Sequence, residues 1–497
     1  MGYSPSDDSR TKSDLMKHIS VIVARNSLFS LLGQITVKAL SVIFAIFAVR
    51  RLGDAGYGLY TTALAYVGMF AILSDLGLAP YMVREVAKDP SRTPALFANA
   101  VLLRLILSAG TLVVIVGSAL VLKRSPELVL GAAIAACTLF IYAVAGPMES
   151  LFIARERLDF LSLMNVLQQA GFVVLGTAAL VGRLGFMGLL VASLCSLALA
   201  TAMGGRLLRR TGGAPWRPDP RLWPALLKAA LPFGVIGFSL GLSYKIDTVL
   251  LQYFYGDAVT GWYNAAYNLI FLVMMVSHAV NLALYPALCR QYAADPKRMP
   301  ALYTQALKYL FVIAVPIAVG TTVLAGPLVR LLYTDQFAPS VLPLRILIWV
   351  LPLIFLTELL GNVTIIHDQE KKVARALMVS TAVNVVLNLV LIPRWGLLAA
   401  SVVTVLTEVI LAGQYLWLLR HELAAVDYRA VFLKPGLAAA LMGVVVFLAR
   451  GVNFFLAVGL GAVIYLGLLT MTGSVGRQEA VLLGDLVRRR AGSREVP

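Results

Sequence analysis

A chain of 497 residues with 60% hydrophobic and only 13% charged residues cannot cover a water-soluble fold with polar surface. Its mean hydropathy of +0.85 places it in a membrane and excludes disordered, acidic and most water-soluble enzyme classes. The net charge of +17, from 42 Lys and Arg against 25 Asp and Glu, would suggest nucleic acid in a soluble chain, whereas in a membrane protein it fits the basic bias of cytoplasmic loops.

In chain order, residues 1–26 read as a polar cytoplasmic tail, with no short apolar core and small-residue cleavage site of a signal peptide. Fourteen apolar stretches near the spanning length of ~20 residues follow. The first six, at 28–49, 59–79, 95–122, 128–147, 160–182 and 185–205, make an N-terminal six-helix half over 27–205. A basic connecting loop at 206–227 carries Arg206, Arg209, Arg210, Arg217 and Arg221. A C-terminal six-helix half over 228–419 holds 228–252, 262–286, 302–329, 341–366, 373–392 and 396–419. Two more helices, at 431–449 and 452–472, occupy 420–472, and 473–497 is a second basic tail. The fold class expected is thus an all-α polytopic membrane protein of about fourteen helices.

Counting Lys and Arg on alternate sides gives 30 against 9, with Lys38, Arg104 and Lys245 inside spans. The bias puts both termini in the cytoplasm, as an even number of spans requires. No loop is long enough for a catalytic domain.

The halves are repeats. GDAGYGLYTTA at 53–63 and GDAVTGWYNAA at 256–266 align without gaps at an offset of 203, identical at six of eleven positions. GLLVAS at 188–193 matches GLLAAS at 396–401 at five of six, at an offset of 208. Six helices separate the copies, so the repeats run parallel, related by an axis along the membrane normal, an architecture of transporters.

Several short motifs carry a family likeness. They are Asn26, Arg51-Leu52-Gly53, Tyr57-Gly58, Asp75-Leu76-Gly77 and Arg84-Glu85, and then Asp247, Gly256, Gly261, Tyr263 and Ala266. In this order and spacing the chain resembles the polysaccharide-transport flippases of the multidrug/oligosaccharidyl-lipid/polysaccharide exporter superfamily. The resemblance implies transfer of a polyprenyl-pyrophosphate-linked saccharide from the cytoplasmic to the outer leaflet of the cytoplasmic (inner) membrane.

Charges inside spans cost at least about 2.5–3.5 kcal/mol each and generally face a wet cavity. Seven are found: Lys38, Arg104, Lys245, Asp75, Asp247, Glu358 and Glu408. Lys38 lies on a polar stripe with Ser27, Ser30, Gln34 and Ser41, which favours a cavity over a snorkelling lysine. Lys245 shares a helix face with Gly241, Thr248 and Gln252, and Asp247 lies round the helix from it; both fit either the cavity or the outer interface. Arg104 fits a cavity cation or a snorkelled arginine equally. The substrate-binding candidates are therefore Lys38, Gln34, Arg104 and Lys245. Ion-coupling candidates are Asp247, Glu358 and Glu408, with H+ or Na+ as the ion; the two glutamates could equally pair with Lys or Arg of a neighbouring helix. Asp75 is expected in a structural role, capping a helix or pairing with Arg84 or Lys88. Pro232, Gly234, Gly237 and Gly241 make the seventh span a candidate hinge.

No GxxxxGK[ST] motif, metal-ligand spacing or hydrolase motif occurs. Neither catalytic residues nor a cofactor or metal is expected, and the protein is read as a transporter rather than an enzyme. Membrane lipids and polysaccharide-assembly proteins are the expected partners, and nucleic acid is not. A peptidoglycan-precursor flippase and a multidrug/cation antiporter of the same superfamily are the nearest alternatives. A membrane-embedded glycosyltransferase or ligase would need a larger outer loop than the chain provides.

Overall fold

The computed structural model describes residues 6–472 apart from 211, 214, 215, 296–298, 368 and 452. Side chains at 6–35, 38 and 39 and at further scattered positions lie outside that description. The C-terminal tail read at 473–497 falls outside it altogether.

Every regular element among the described residues is helical. The chain runs through α1 (Ser6–Phe70), α2 (Leu78–Lys88), α3 (Thr93–Val121), α4 (Pro126–Ala136), α5 (Thr138–Ala154), α6 (Leu158–Val181), α7 (Gly185–Arg210) and α8 (Trp223–Tyr255). It continues through α9 (Asp257–Ala294), α10 (Met299–Leu332), α11 (Val341–Leu347), α12 (Val350–Ile366), α13 (Glu370–Leu418), α14 (Lys434–Ala449) and α15 (Phe454–Met471). Among the described residues nine helices are long and apolar enough to cross a membrane, or ten with the bent pair α11 and α12. Part of the difference from the fourteen apolar stretches has a physical reason, while α8 and α9, which match the stretches 228–252 and 262–286, are not among those counted. α1 and α13 each hold two predicted spans joined at a glycine with non-helical backbone, Gly53 (φ 70°, ψ −178°) and Gly396 (φ 50°, ψ −124°).

Two features depart from the expected spans. The stretch 341–366 is broken into α11 and α12 with a 41° bend. Pro352 lacks the N–H that would reach the carbonyl of Ile348, so the helix cannot continue unbent through that turn. In addition, the connection after the second span contains the amphipathic helix α2. Its Leu78, Tyr81, Met82 and Val86 are buried while Arg84 is half exposed, the apolar stripe of a helix lying on a protein surface.

The chain divides into two compact units, Met1–Asn264 and Ala265–Pro497. In the first, the arm of α1 beyond Gly53 packs Ala63, Ala65, Tyr66 and Val67 against Ile115 and Ala119 of α3 and Leu128, Ala132 and Ala135 of α4. Lipid tails are as apolar as leucine, so burial from water drives little of this packing, and small side chains that let backbones approach contribute most. The arm before Gly53 meets α6 through Phe44, whose ring stands edge-on to Phe172 at 4.9 Å and fits against Gly176. In the second unit, α10, α14 and α15 share a core of Val315, Leu324, Met442, Val446, Ala457 and Tyr465. The hydroxyl of Tyr465 donates to the carbonyl of Val312 at 2.9 Å.

Candidate functional site

The repeat motif meets its own copy inside the first unit. Gly53 and Gly256 occupy equivalent positions and share one backbone conformation, φ 70° and ψ −178° against φ 84° and ψ −174°. A side chain is strained at such positive φ values, which accounts for glycine at both. Each glycine breaks the chain direction and starts a new helical arm. Those arms then touch reciprocally. A Cβ placed on Gly58 would overlap the backbone carbonyl of Asp257, and one on Gly261 would overlap that of Asp54. Position for position, Gly58 corresponds to Gly261 and Asp54 to Asp257, so the contact has the self-complementarity of a two-fold interface. Trp262 Nε1 donates to Asp54 Oδ2 at 3.2 Å, and Gln252 Nε2 donates to Asp257 Oδ1 at 3.0 Å.

From this crossing, α8 runs along the rest of the α1 arm and the turn that follows it. Gly241 faces the carbonyl of Gly68, Gly237 faces Ile72, and Gly234 faces the backbone of Leu76. The glycines of the candidate hinge thus lie at close approaches, Gly234 and Gly241 to backbone and Gly237 to the Ile72 side chain. Lys245 sits on the same seam, its Cγ and Cε each 3.5 Å from the position a Cβ of Gly68 would take. A larger residue at 68 would displace the lysine stem. Among the described residues no carboxylate lies within ion-pairing distance of Lys245.

Asp247, two residues on, is 4% exposed. Its carboxylate accepts hydrogen bonds from the Tyr263 hydroxyl and, at 2.7 Å, from the Thr248 N–H. A buried carboxylate satisfied in this way needs no lysine to hold it in place.

Arg104 stands apart from this seam. It is buried, and its Nη1 lies 3.1 Å from Asp75 Oδ1, with Glu149 close enough to interact electrostatically. Its guanidinium rests where a side chain of residue 146 would project, so only glycine fits there. The partner of Asp75 is therefore Arg104 rather than the Arg84 or Lys88 that sequence proximity suggests. The turn explains this: Leu76 and Gly77 adopt φ 48° and 82° and swing α2 away, while Asp75 faces back into the bundle. Asp75 Oδ1 also accepts the Ala79 N–H at 3.2 Å, capping the start of α2. Arg84 instead reaches Glu85 at 3.1 Å, and Arg92 pairs with the same carboxylate. Although desolvation works the other way, the hydrogen bond from Arg84 and the charge of Arg92 hold the Glu85 carboxyl below its usual range.

The second unit holds its own polar layer. Glu358 accepts from Ser277 Oγ at 2.7 Å and Asn281 Nδ2 at 3.1 Å, and Glu408 accepts from the hydroxyl of Thr357. Because Thr357 and Glu358 are consecutive, the two carboxylates come within electrostatic reach of each other. Asn384 donates to Thr407 at 3.2 Å and accepts from Asn388 at 3.1 Å, extending the layer along α13. The Oδ1 of Asn281 is buried without a hydrogen-bond partner among the described residues. The sequence singled out both glutamates but not Ser277, Asn281 or Thr357, since neutral residues in an apolar run carry no distinguishing pattern. Lys38 and Gln34 lie in α1, and their side chains are outside the described residues.

Comparison with known proteins adds to this geometry. The family described as "Polysaccharide biosynthesis protein" matches residues 23–291, more than half of the chain, and the MatE family matches residues 232–392. The chain is 20% identical over 390 residues to the "probable low-salt glycan biosynthesis flippase Agl15" of Haloferax volcanii, covering 78% of this chain and 81% of that protein. It is 24% identical over 181 residues to the "probable flippase AglR" of the same organism, 33% of this chain and 36% of that one. Among solved structures, "Lipid II flippase MurJ, inward closed conformation" superposes with a TM-score of 0.77 at 13% identity, over 90% of this chain and 98% of that chain. An inward-facing multidrug resistance MATE family transporter of the MOP superfamily gives 0.64 at 16% identity, over 78% and 95%. At these identities the structural likeness establishes the fold.

Proposed function

The chain belongs to the polysaccharide biosynthesis protein family, and from that premise we propose that it is a flippase for a polyprenyl-pyrophosphate-linked oligosaccharide. It moves the saccharide head across the cytoplasmic membrane by alternating access of its two six-helix repeats, with both termini in the cytoplasm. The observation that carries this reading is Lys245, a lysine without an ion-pair partner among the described residues, set on a glycine seam. It lies ten residues, ~15 Å along the axis, before the end of α8 at Tyr255. A cation left unpaired at that depth costs about 2.5–3.5 kcal/mol, and an anionic head group offsets that cost when it binds.

In this reading Lys38 and Gln34 join Lys245 in holding the pyrophosphate, and Arg104, neutralised by Asp75, keeps the first unit together. Binding the anion discharges the seam, and the repeats then separate at the opposite end to release the head. Glu358 and Glu408 carry the coupling ion, H+ or Na+, with Asp247 as a third carboxylate. Two carboxylates at close range resist being ionised together, which suits them to take up one cation. Polysaccharide-assembly proteins are the expected partners for supply and removal of the saccharide.

A second reading, a cation-coupled multidrug exporter, is favoured by the carboxylate layer of the second unit and the match of residues 232–392 to MatE. The test is leaflet accessibility of a polyprenyl-pyrophosphate oligosaccharide in proteoliposomes. Protein-dependent equilibration between leaflets supports the flippase. Equilibration no faster than in protein-free vesicles, alongside efflux of a cationic dye, supports the exporter instead.

A further inference from the structure

We propose that the cytoplasmic end of α14 carries a binding site for an anionic membrane phospholipid, with the head group on Arg429 and one acyl chain laid along the helix. Only the side of the membrane is taken from the flippase reading; the groove stands independently of it. The site spans 428–437, beyond the residues matched by either family model, 23–291 and 232–392.

The groove measures about 530 Å³ and is lined by Tyr428, Arg429, Phe432, Leu433, Gly436 and Leu437. These positions recur every four residues, so they share one helix face. The chemistry of that face changes once along its length. A phenol and a guanidinium stand at its start, and every lining residue beyond them is apolar. Arg429 to Leu437 covers ~12 Å along the axis, most of the ~15 Å of hydrocarbon in one leaflet. A polar head followed by an apolar run of that length, entered from the membrane surface, matches a glycerophospholipid.

The walls are built, and they leave room. The turn Arg429–Leu433 is π-helical, a wider turn than the α-helix it precedes. Tyr428 and Phe432 stack across it with ring planes 4° apart and centroids 6.2 Å apart. Phe311 of α10 backs Phe432 edge-on at 4.7 Å, and the Tyr428 hydroxyl donates to the carbonyl of Leu423 at 3.3 Å, which fixes the aromatic wall. A Cβ on Gly436 would meet no atom within 4 Å. No protein neighbour therefore requires glycine there, although glycine is a poor helix former. The missing side chain leaves space for an acyl chain beside Leu433 and Leu437, both more than half exposed.

Charge selects the head group. Arg429 is exposed, and its guanidinium has neither an ion pair nor a hydrogen bond among the described residues. The nearby Asp427 carboxylate accepts the backbone N–H of Arg429 at 3.1 Å. Lys434, just beyond, donates to the carbonyl of Thr472 at 3.1 Å, a contact that does not neutralise its charge. A phosphodiester at Arg429 gains charge-assisted hydrogen bonds. A head group with no amine keeps the net negative charge that both cations attract.

Photolabelling tests this without any transport substrate, so its failure is distinct from failure of the flippase reading. The full-length protein is reconstituted in phosphatidylcholine vesicles with a trace of phosphatidylglycerol or phosphatidylcholine carrying the same diazirine in one acyl chain, and labelled residues are mapped after digestion. We expect labelling concentrated at 432–437, roughly fivefold stronger with the phosphatidylglycerol probe. Arg429→Gln should remove that preference, and Gly436→Leu, which fills the groove, should lower labelling by both probes. Both positions face outward, so the variants are expected to fold. Equal labelling by the two probes, or a preference unchanged in Arg429→Gln, would overturn the proposal. Labelling spread evenly along the exposed residues of α14, or unaffected by Gly436→Leu, would do the same. Displacement of the probe by soluble glycerol 3-phosphate would assign the site to a free phosphate ester, and stronger displacement by a polyprenyl phosphate than by phosphatidylglycerol would assign it to the transported lipid; either result overturns the proposal.

Discussion

Arg104 and Asp75 lie 3.1 Å apart, both largely shielded from solvent, and they join α3 to the turn that ends the second predicted span. Neither residue is near the other in sequence. Removing one leaves the other's charge without its ion-pair partner in an apolar bundle, a loss of up to about 3–5 kcal/mol that Glu149 offsets in part for Arg104, whereas replacing both with apolar residues of similar volume is far milder. Arg104→Met and Asp75→Leu should each lower the thermal midpoint of the detergent-solubilised protein sharply, and the double variant should recover much of the loss. Full recovery of stability with flipping still abolished would assign Arg104 to the substrate rather than to the fold.

Lys245 behaves oppositely. Its stem packs on Gly68, and no carboxylate among the described residues lies within ion-pairing distance of its charge. Lys245→Gln should therefore keep or slightly raise stability while slowing flipping about tenfold, equivalent to ~1.4 kcal/mol in the barrier. Matched initial rates for the two proteins would remove Lys245 from the site.

Glu408 and Glu358 share a polar layer in which Thr357, Ser277 and Asn281 are donors. Glu408→Gln keeps an acceptor for Thr357 and removes the charge. The variant should fold normally, and its flipping rate should no longer respond to an imposed H+ or Na+ gradient. A gradient response equal to that of the unchanged protein would place coupling elsewhere.

Glu85 lies outside the spans, 13% exposed between Arg84 and Arg92. Its carboxyl is held below the usual range, so the folded state binds a proton less readily than the unfolded chain. The stabilisation is present above the unfolded value near 4.3 and is lost as pH falls through the lower, folded value. Glu85→Gln should be less stable than the unchanged protein at pH 7, by on the order of 0.5–1 kcal/mol given the half-exposed arginines. The difference should narrow between pH 5 and 3 in thermal unfolding curves.

Much of the fold is written in long-range composition. Apolar runs of spanning length and the basic bias of alternate loops require only local properties, and the repeat at 53–63 and 256–266 is visible because its positions must fit each other. The pairing of Asp75 with Arg104 is not visible, since it depends on the positive φ of Leu76 and Gly77 turning the chain. Gly234, Gly237 and Gly241 are legible as glycines but not as contacts, because nothing in the sequence says what approaches them. The neutral partners of the two glutamates are hidden for the same reason. Lys245 stands out in the sequence only as a charge inside an apolar run, a position that is costly at depth but that the residues leave open between cavity and outer interface.

The most direct measurement is the initial rate at which lipid-linked oligosaccharide appears in the outer leaflet of proteoliposomes, comparing a pyrophosphate-linked head with an uncharged one. The account predicts rapid transfer of the pyrophosphate form by the unchanged protein, and loss of that preference in Lys245→Gln. Equal transfer of both forms by the unchanged protein, or no protein-dependent transfer of either, would contradict it.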